Sequence, residues 1–149
     1  LRGKNLKEVI TYNIQHGQYD SKLLDYYSEE DLIALDNMLN FDYDLNHSHS
    51  SLVVARKKFL GKFELNQHMH MVNAMRIGTQ EAENDRLEFV SDMYKILAER
   101  KISLATPFMA NLRKGGNISS CFILAIEDDL DSIFKNAHRV AKISKTGGG

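Results

Sequence analysis

The one cysteine of the sequence, Cys121, stands in SSCFILAIEDDLDSIF (119–134), behind two serines and ahead of an apolar run. A thiol beside two hydroxyls at a strand end is a candidate redox group or nucleophile, with Ser119 and Ser120 able to hydrogen-bond a ligand. The ordinary alternative is a small buried hydrophobe, because free cysteine is among the most buried residue types. No histidine lies near it in sequence to activate it. The acids Glu127, Asp128, Asp129 and Asp131 follow. Carboxylates at a helix start cap it and complement its dipole, and they also suit a nucleobase or a ribose hydroxyl. A phosphate needs cations or bare backbone N–H groups instead.

Two further patterns have chemical spacing. Lys142-x-x-Lys145-x-Gly147-Gly148-Gly149 is loosely like a phosphate cradle, but its glycines follow a helix pattern instead of opening one. The plainer reading is a helix C-terminus with basic residues and a flexible exit. His47-x-His49 and His68-x-His70 have a chelating interval only on a strand, where i and i+2 share a face. Both pairs fall in helical or loop context without a clustered third ligand, so no metal site is expected.

The elements that must position these groups are mostly helical. Leu6, Val9, Ile10 and Ile14 share a helical face, and HGQYDSKLLDYY reads as a turn and a short helix. Ser28-Glu29-Glu30-Asp31 is close to a capping box and opens a helix through Leu32, Leu35 and Leu39. NFDYDLNHSH reads as a connection. Helices are expected over 52–60, with Arg56-Lys57-Lys58 on the outer side, over 67–77, and over 84–100, where Leu87, Val90, Tyr94 and Leu97 are spaced three and four apart. KISLATPFMANLRKGGNISS holds the only proline, Pro107, and the Gly115-Gly116 pair, and reads as irregular loop. The run 121–126 fits a strand buried on both faces. Asp128 is the expected N-cap of the next helix, with Asp131 in the capping-box position. Leu130, Ile133, Phe134, Ala137, Val140 and Ala141 form its apolar stripe, and Gly147 is the expected C-cap residue. A single strand–helix unit lacks the partners that a buried strand requires.

Composition narrows the classes. At 149 residues the chain has one domain's length, and 43% hydrophobic residues are enough for a core. A formal net charge of −1 gives no basic field for nucleic acid. A single cysteine excludes an internal disulfide framework and suits a reducing, cytoplasmic setting. No apolar run has the length of a bilayer span, so no membrane partner is expected.

The order of these pieces resembles the large, catalytic subunit of ribonucleotide reductase, chiefly of the aerobic class I type. The resemblance runs through GQYDSKLLDYYSEEDLIALDNMLNFDYDL (17–45) and ERKISLATPFMANLR (99–113), and is strongest over SSCFILAIEDDLDSIF and AKISKTGGG. It implies a mainly α N-terminal helical domain over residues 1–100. The first strand–helix unit of a ten-stranded α/β barrel follows over residues 101–149, and another chain completes it. It also implies radical-based reduction of ribonucleotides to deoxyribonucleotides for DNA synthesis. Cys121 matches one of the family's two reducing thiols, which end as a disulfide. Thr106, Ser120, Cys121, Gly148 and Gly149 match substrate-contacting positions, the glycines on the diphosphate side. Asp128, Asp129 and Leu130 match the site where a deoxynucleotide or ATP effector sets specificity, although the family often carries Ser or Asn where Asp129 stands. The helix over 129–145 matches one that packs across the family's dimer interface.

The same resemblance implies the missing parts. This chain would bind no cofactor directly. The radical would come from a separate metal-containing small subunit, or from adenosylcobalamin in a class II enzyme. Thioredoxin or glutaredoxin would return the electrons. The second thiol and the rest of the barrel would come from a complementary C-terminal fragment, making this chain the N-terminal piece of a split subunit, inactive without it. The alternative is a non-catalytic helical interaction module related to the reductase.

Overall fold

The computed structural model describes residues 3–149. Seven α-helices follow in order among them: α1 (Leu6–Gln15), α2 (Glu29–Met38), α3 (His49–Lys58), α4 (Asn66–Gly78), α5 (Glu83–Ala98), α6 (Thr106–Asn111) and α7 (Leu130–Lys145). Tighter 3₁₀ turns occupy Ser21–Tyr26, Phe41–Asn46 and Leu112–Lys114. The helix starts are chemically marked. Ser28 accepts from the Asp31 N–H at 3.1 Å while Asp31 accepts from the Ser28 N–H at 2.8 Å, so the expected capping box opens α2. Asn5 and Glu8 make the same reciprocal pair at α1.

The core lies between α1, α2, α4 and α5. Leu6 and Ile10 of α1, Leu32 and Leu35 of α2, Met71 and Met75 of α4, and Val90 and Leu97 of α5 are all buried there. These are the three- and four-residue intervals that the sequence displays. Gly78 lets α4 and α5 approach closely: a Cβ there would stand 2.6 Å from Val90 Cγ2. The polar tips of the buried tyrosines are satisfied. Tyr27 donates to the Met75 carbonyl at 2.6 Å, and Tyr94 donates to Gln67 Oε1 at 3.0 Å.

A buried ion pair joins this body to the following segment. Arg113 is 2% exposed and Glu64 is fully buried, with Arg113 Nε 3.1 Å from Glu64 Oε1. The guanidinium also donates to the Phe59 carbonyl at 2.6 Å, the Met109 carbonyl at 2.8 Å and Asn73 Oδ1 at 3.3 Å. Glu64 accepts in turn from the Tyr19 hydroxyl and from the Gly61 N–H. Burial, with the Glu64 charge beside it, holds the Tyr19 phenol well above its ordinary range.

Several expectations are corrected. The passage around Pro107 is not loop throughout, because Thr106–Asn111 is helical with proline in the first turn, where its missing N–H costs nothing. Phe41–Asn46 is a 3₁₀ turn and not a plain connection. The third helix runs over His49–Lys58, three residues earlier than the apolar spacing begins, because Ser48 caps it by accepting from the Ser51 N–H at 3.2 Å. Asp129, not Asp128, caps α7, accepting from the Ser132 N–H at 2.8 Å. The run 121–126 is extended but open: Ile123 is fully exposed, and Phe122 and Ile126 are also exposed. It lacks neighbours on the faces that an apolar run is built to bury. Gly147 does stand just past α7 in the left-handed region, at φ +83°.

His68 is buried on α4, accepts from the Leu65 N–H through Nδ1 at 3.1 Å, and has its pKa lowered to about 4 mainly by burial. His70 is lowered to about 4 in the same way, with the His47 and Arg113 charges adding to the effect. Both rings fold neutral, whereas the unfolded chain protonates them near 6.5. The stability they lend is complete above that value and is lost as pH falls towards 4. Urea unfolding should show a flat midpoint above neutrality and a decline below about pH 6.5, with His68 contributing on the order of 3 kcal/mol. His68→Gln should remove about half of that decline and leave the part owed to His70. Glu64→Ala, which leaves Arg113 buried without its counter-charge, should lower stability by about 3–5 kcal/mol at neutral pH in the same assay.

Candidate functional site

The site is built where α7 ends. Gly149 donates its N–H to the Ser120 carbonyl at 2.8 Å, and its carbonyl accepts from the Phe122 N–H at 2.8 Å. One residue bonded to both neighbours of Cys121 is the pairing pattern of parallel strands. The chain therefore runs out along 120–126, returns through α7, and comes back beside Cys121 in parallel. This is the opening of a strand–helix–strand unit, reduced to a single rung. Asn136 holds the middle of the unit: it is buried and donates to the Ala125 carbonyl at 3.0 Å and to the Ser132 carbonyl at 2.9 Å.

Cys121 is exposed and in no disulfide, not the buried hydrophobe that its residue type favours. Its sulfur lies 3.5 Å from Ser120 Oγ. Gly148 is buried, and a Cβ there would stand 2.5 Å from the Phe122 ring and 2.8 Å from Ile143 Cγ2. Only glycine fits between that ring and the helix end. Gly147 packs on Pro107, with the nearest atom 3.7 Å from where its Cβ would lie, and Pro107 follows Thr106 directly. Thr106, exposed at the start of α6, thus belongs to the same region through its neighbour.

The glycine N–H groups are already engaged. Gly147 donates to the Ser144 carbonyl at 3.0 Å, Gly148 to the Ile143 carbonyl at 3.2 Å, and Gly149 to Ser120. A phosphate cradle of free backbone donors is therefore not formed by these three residues. They give close approach and shape.

Asp128, Asp129 and Leu130 gather at the other end of α7, and all three are exposed. A 16-residue helix separates them from Gly149, a length of about 24 Å at 1.5 Å per residue. One Asp129 oxygen is committed to the helix cap. The structure thus holds two groups of predicted residues and keeps them apart. Two features escaped the sequence pattern. Asn111 and Asn117 bond across the site. A cleft of about 550 Å³ opens on the helical side, reaching His47, His70, Arg100, Leu104 and Met109. Among the described residues no group of three or more His, Cys, Asp or Glu side chains could hold a metal ion, and no helix is long and apolar enough to cross a membrane.

Residues 46–117 match the family model described as ribonucleotide reductase, all-alpha domain, and residues 119–149 match that of the ribonucleotide reductase barrel domain. The chain is 40% identical to a ribonucleoside-diphosphate reductase subunit alpha from Synechocystis sp. over 148 residues, covering 99% of this chain and 19% of that protein. It is 33% identical to the subunit alpha of Enterobacteria phage T4, over 93% of this chain and 20% of the relative. It is 28% identical to a subunit alpha of Escherichia coli, over 92% and 19%. The chain thus spans about a fifth of the length of these relatives. It belongs to the ribonucleotide reductase large-subunit family.

The packing at Gly148 gives a direct test. Gly148→Ala should push Phe122 and Ile143 apart and break the Gly149 rung. Amide exchange at Phe122 and Gly149 should then accelerate at least tenfold, while the amides of α4 and α5 keep their protection.

Proposed function

From that membership we propose that this chain forms part of the catalytic subunit of a ribonucleoside-diphosphate reductase and supplies one of its two reducing thiols, Cys121. The observation that carries the reading is the parallel rung that sets an exposed Cys121 beside Gly148 and Gly149. Replacing a ribose 2′-hydroxyl by hydrogen releases water and consumes two electrons and two protons. Two thiols supply these as they close to a disulfide. The sequence holds one cysteine, so the second thiol belongs to a part of the subunit outside these 149 residues. A strand end is a rigid mount for such a group. Ser120 and Thr106 border the substrate, and Gly148 and Gly149 let its diphosphate approach the backbone closely. The phosphate charge is then met by donors other than the three glycine amides, which are already bonded within the chain.

The remaining assignments follow from the same reading. Asp128, Asp129 and Leu130 take part in an effector site for a deoxynucleotide or ATP, with Asp129 serving chiefly as the helix cap. The exposed Leu130, Ile133, Phe134 and Val140 of α7, together with Ile123 and Ile126, are surface that the rest of the barrel and a second catalytic unit cover. The radical arises on a separate metal-containing small subunit, or on adenosylcobalamin in a class II enzyme. Thioredoxin or glutaredoxin reduces the disulfide, and the reaction is cytoplasmic.

Gentle isolation of the chain from its source, with mass spectrometry of what accompanies it, tests the assembly. A polypeptide carrying the remaining barrel should appear at equal stoichiometry. In that complex, Cys121→Ser should reduce deoxyribonucleotide formation by at least 10³-fold without changing the urea midpoint. A chain that emerges folded and without a barrel-bearing partner, or a Cys121→Ser complex that retains activity, contradicts the reading.

A further inference from the structure

We infer that Asn111 is a positioning residue for the candidate substrate floor, clasping three separate segments through one side-chain amide. Asn111 closes α6. Its Nδ2 donates to the Asn117 carbonyl at 2.8 Å and to the Thr146 carbonyl at 2.9 Å. Both partners are acceptors only, so the nitrogen must face them and both of its hydrogens are engaged.

The two carbonyls lie at chemically informative places. Asn117 leads directly into Ile118-Ser119-Ser120-Cys121, and Thr146 closes α7 immediately before the three glycines. Asn117 extends the clasp by donating to the Ser119 carbonyl at 3.0 Å and to Thr146 Oγ1 at 3.3 Å. Its Oδ1 accepts from the Ser119 N–H at 3.1 Å. Thr146 Oγ1 donates to the Ile143 carbonyl at 2.8 Å, which ties the ring to the last turn of α7. The Gly116 N–H returns to the Asn111 carbonyl at 3.1 Å, and a Cβ on Gly116 would stand 3.2 Å from Asn111 Cβ.

Two residues beyond Asn111, Arg113 is locked into the helical body. Asn111 therefore passes the rigidity of that core to both edges of the floor, the Ser119–Cys121 edge and the Gly147–Gly149 edge. Without it, the contacts that join these edges are the single Gly149 rung, the packing of Gly148 on the Phe122 ring and the longer bond from Asn117 to Thr146 Oγ1, and α6 touches the glycines only where Gly147 packs on Pro107. Reaction rates depend steeply on such placement, and a misplacement of about 1 Å can cost roughly a hundredfold. The consequence for substrate rests on the reductase reading, whereas the clasp does not.

Asn111→Asp tests the clasp with almost no change of shape, since it turns an oxygen towards two carbonyls. In the 149-residue chain, amide exchange at Phe122 and Gly149 should accelerate at least tenfold, more than in Asn111→Ala, with unchanged protection in α4 and α5 and an unchanged urea midpoint. Should that variant weaken the helical body, Asn117→Ala gives the readout from the other side of the ring, removing the side-chain bonds to Thr146 Oγ1 and to Ser119 without touching α6. In the assembled subunit, Asn111→Asp should raise KM for the ribonucleotide and lower kcat/KM at least tenfold at an unchanged Tm. Unchanged exchange at Phe122 and Gly149 overturns the clasp. Faster exchange with an unchanged kcat/KM overturns the positioning role. Faster exchange in a chain from which no reductase can be assembled supports the clasp and removes the reductase reading.

Discussion

The buried Arg113–Glu64 pair is the constraint on which the rest of the structure depends. Removing both charges from water carries a desolvation cost of several kcal/mol per ion, and their attraction offsets it only when the remaining hydrogen-bonding capacity is used. Here most of it is used: the guanidinium reaches the Phe59 and Met109 carbonyls and Asn73 through its terminal nitrogens, and the carboxylate takes the Tyr19 hydroxyl and the Gly61 N–H, while Arg113 Nε meets Glu64 as an ion pair without a well-formed hydrogen bond. An apolar pair could be as stable, but it would lack direction. The guanidinium fork fixes where the α6 segment sits against the loop before α4, and so fixes where the site begins.

Two regimes of packing follow from that joint. Behind it, four helices close an apolar core whose tyrosines are hydrogen-bonded. Ahead of it, the chain leaves an extended segment, a helix and one parallel rung, with Ile123, Ile126, Leu130 and Phe134 exposed. The second part is held by directed bonds from asparagines more than by burial. Asn136 clips the middle of the unit, and Asn111 with Asn117 clips its end. That contrast agrees with a chain that spans about a fifth of the length of its relatives.

The sequence made the first regime readable and the second only partly so. The spacing of Leu87, Val90, Tyr94 and Leu97 marks α5 because one face is buried from Val90 to Ala98, with Leu87 partly covered before it. Ser28 and Asp31 mark the start of α2 because capping is local chemistry. Pro107 misled as a breaker, since a six-residue helix shows too little periodicity to reveal that proline sits in its first turn. Four acids close together hid which one caps α7, because the choice depends on a bond to Ser132 that spacing does not specify. The apolar run 121–126 reads as buried because its composition is set for neighbours that these residues do not provide. Arg113 and Glu64 lie 49 residues apart, and the Asn111–Thr146 bond spans 35, so neither has a local signal. The roles proposed for Cys121 and the glycines rest on family resemblance and not on spacing.

The most direct measurement is to map Cys121 after a single turnover. The catalytic complex, fully reduced and given ribonucleotide without any external thiol, would be quenched with an alkylating agent and digested for mass spectrometry. The account predicts that Cys121 is then found in a disulfide with a cysteine from the rest of the subunit, in proportion to the deoxyribonucleotide formed. Deoxyribonucleotide formed while Cys121 is recovered fully alkylated would contradict it.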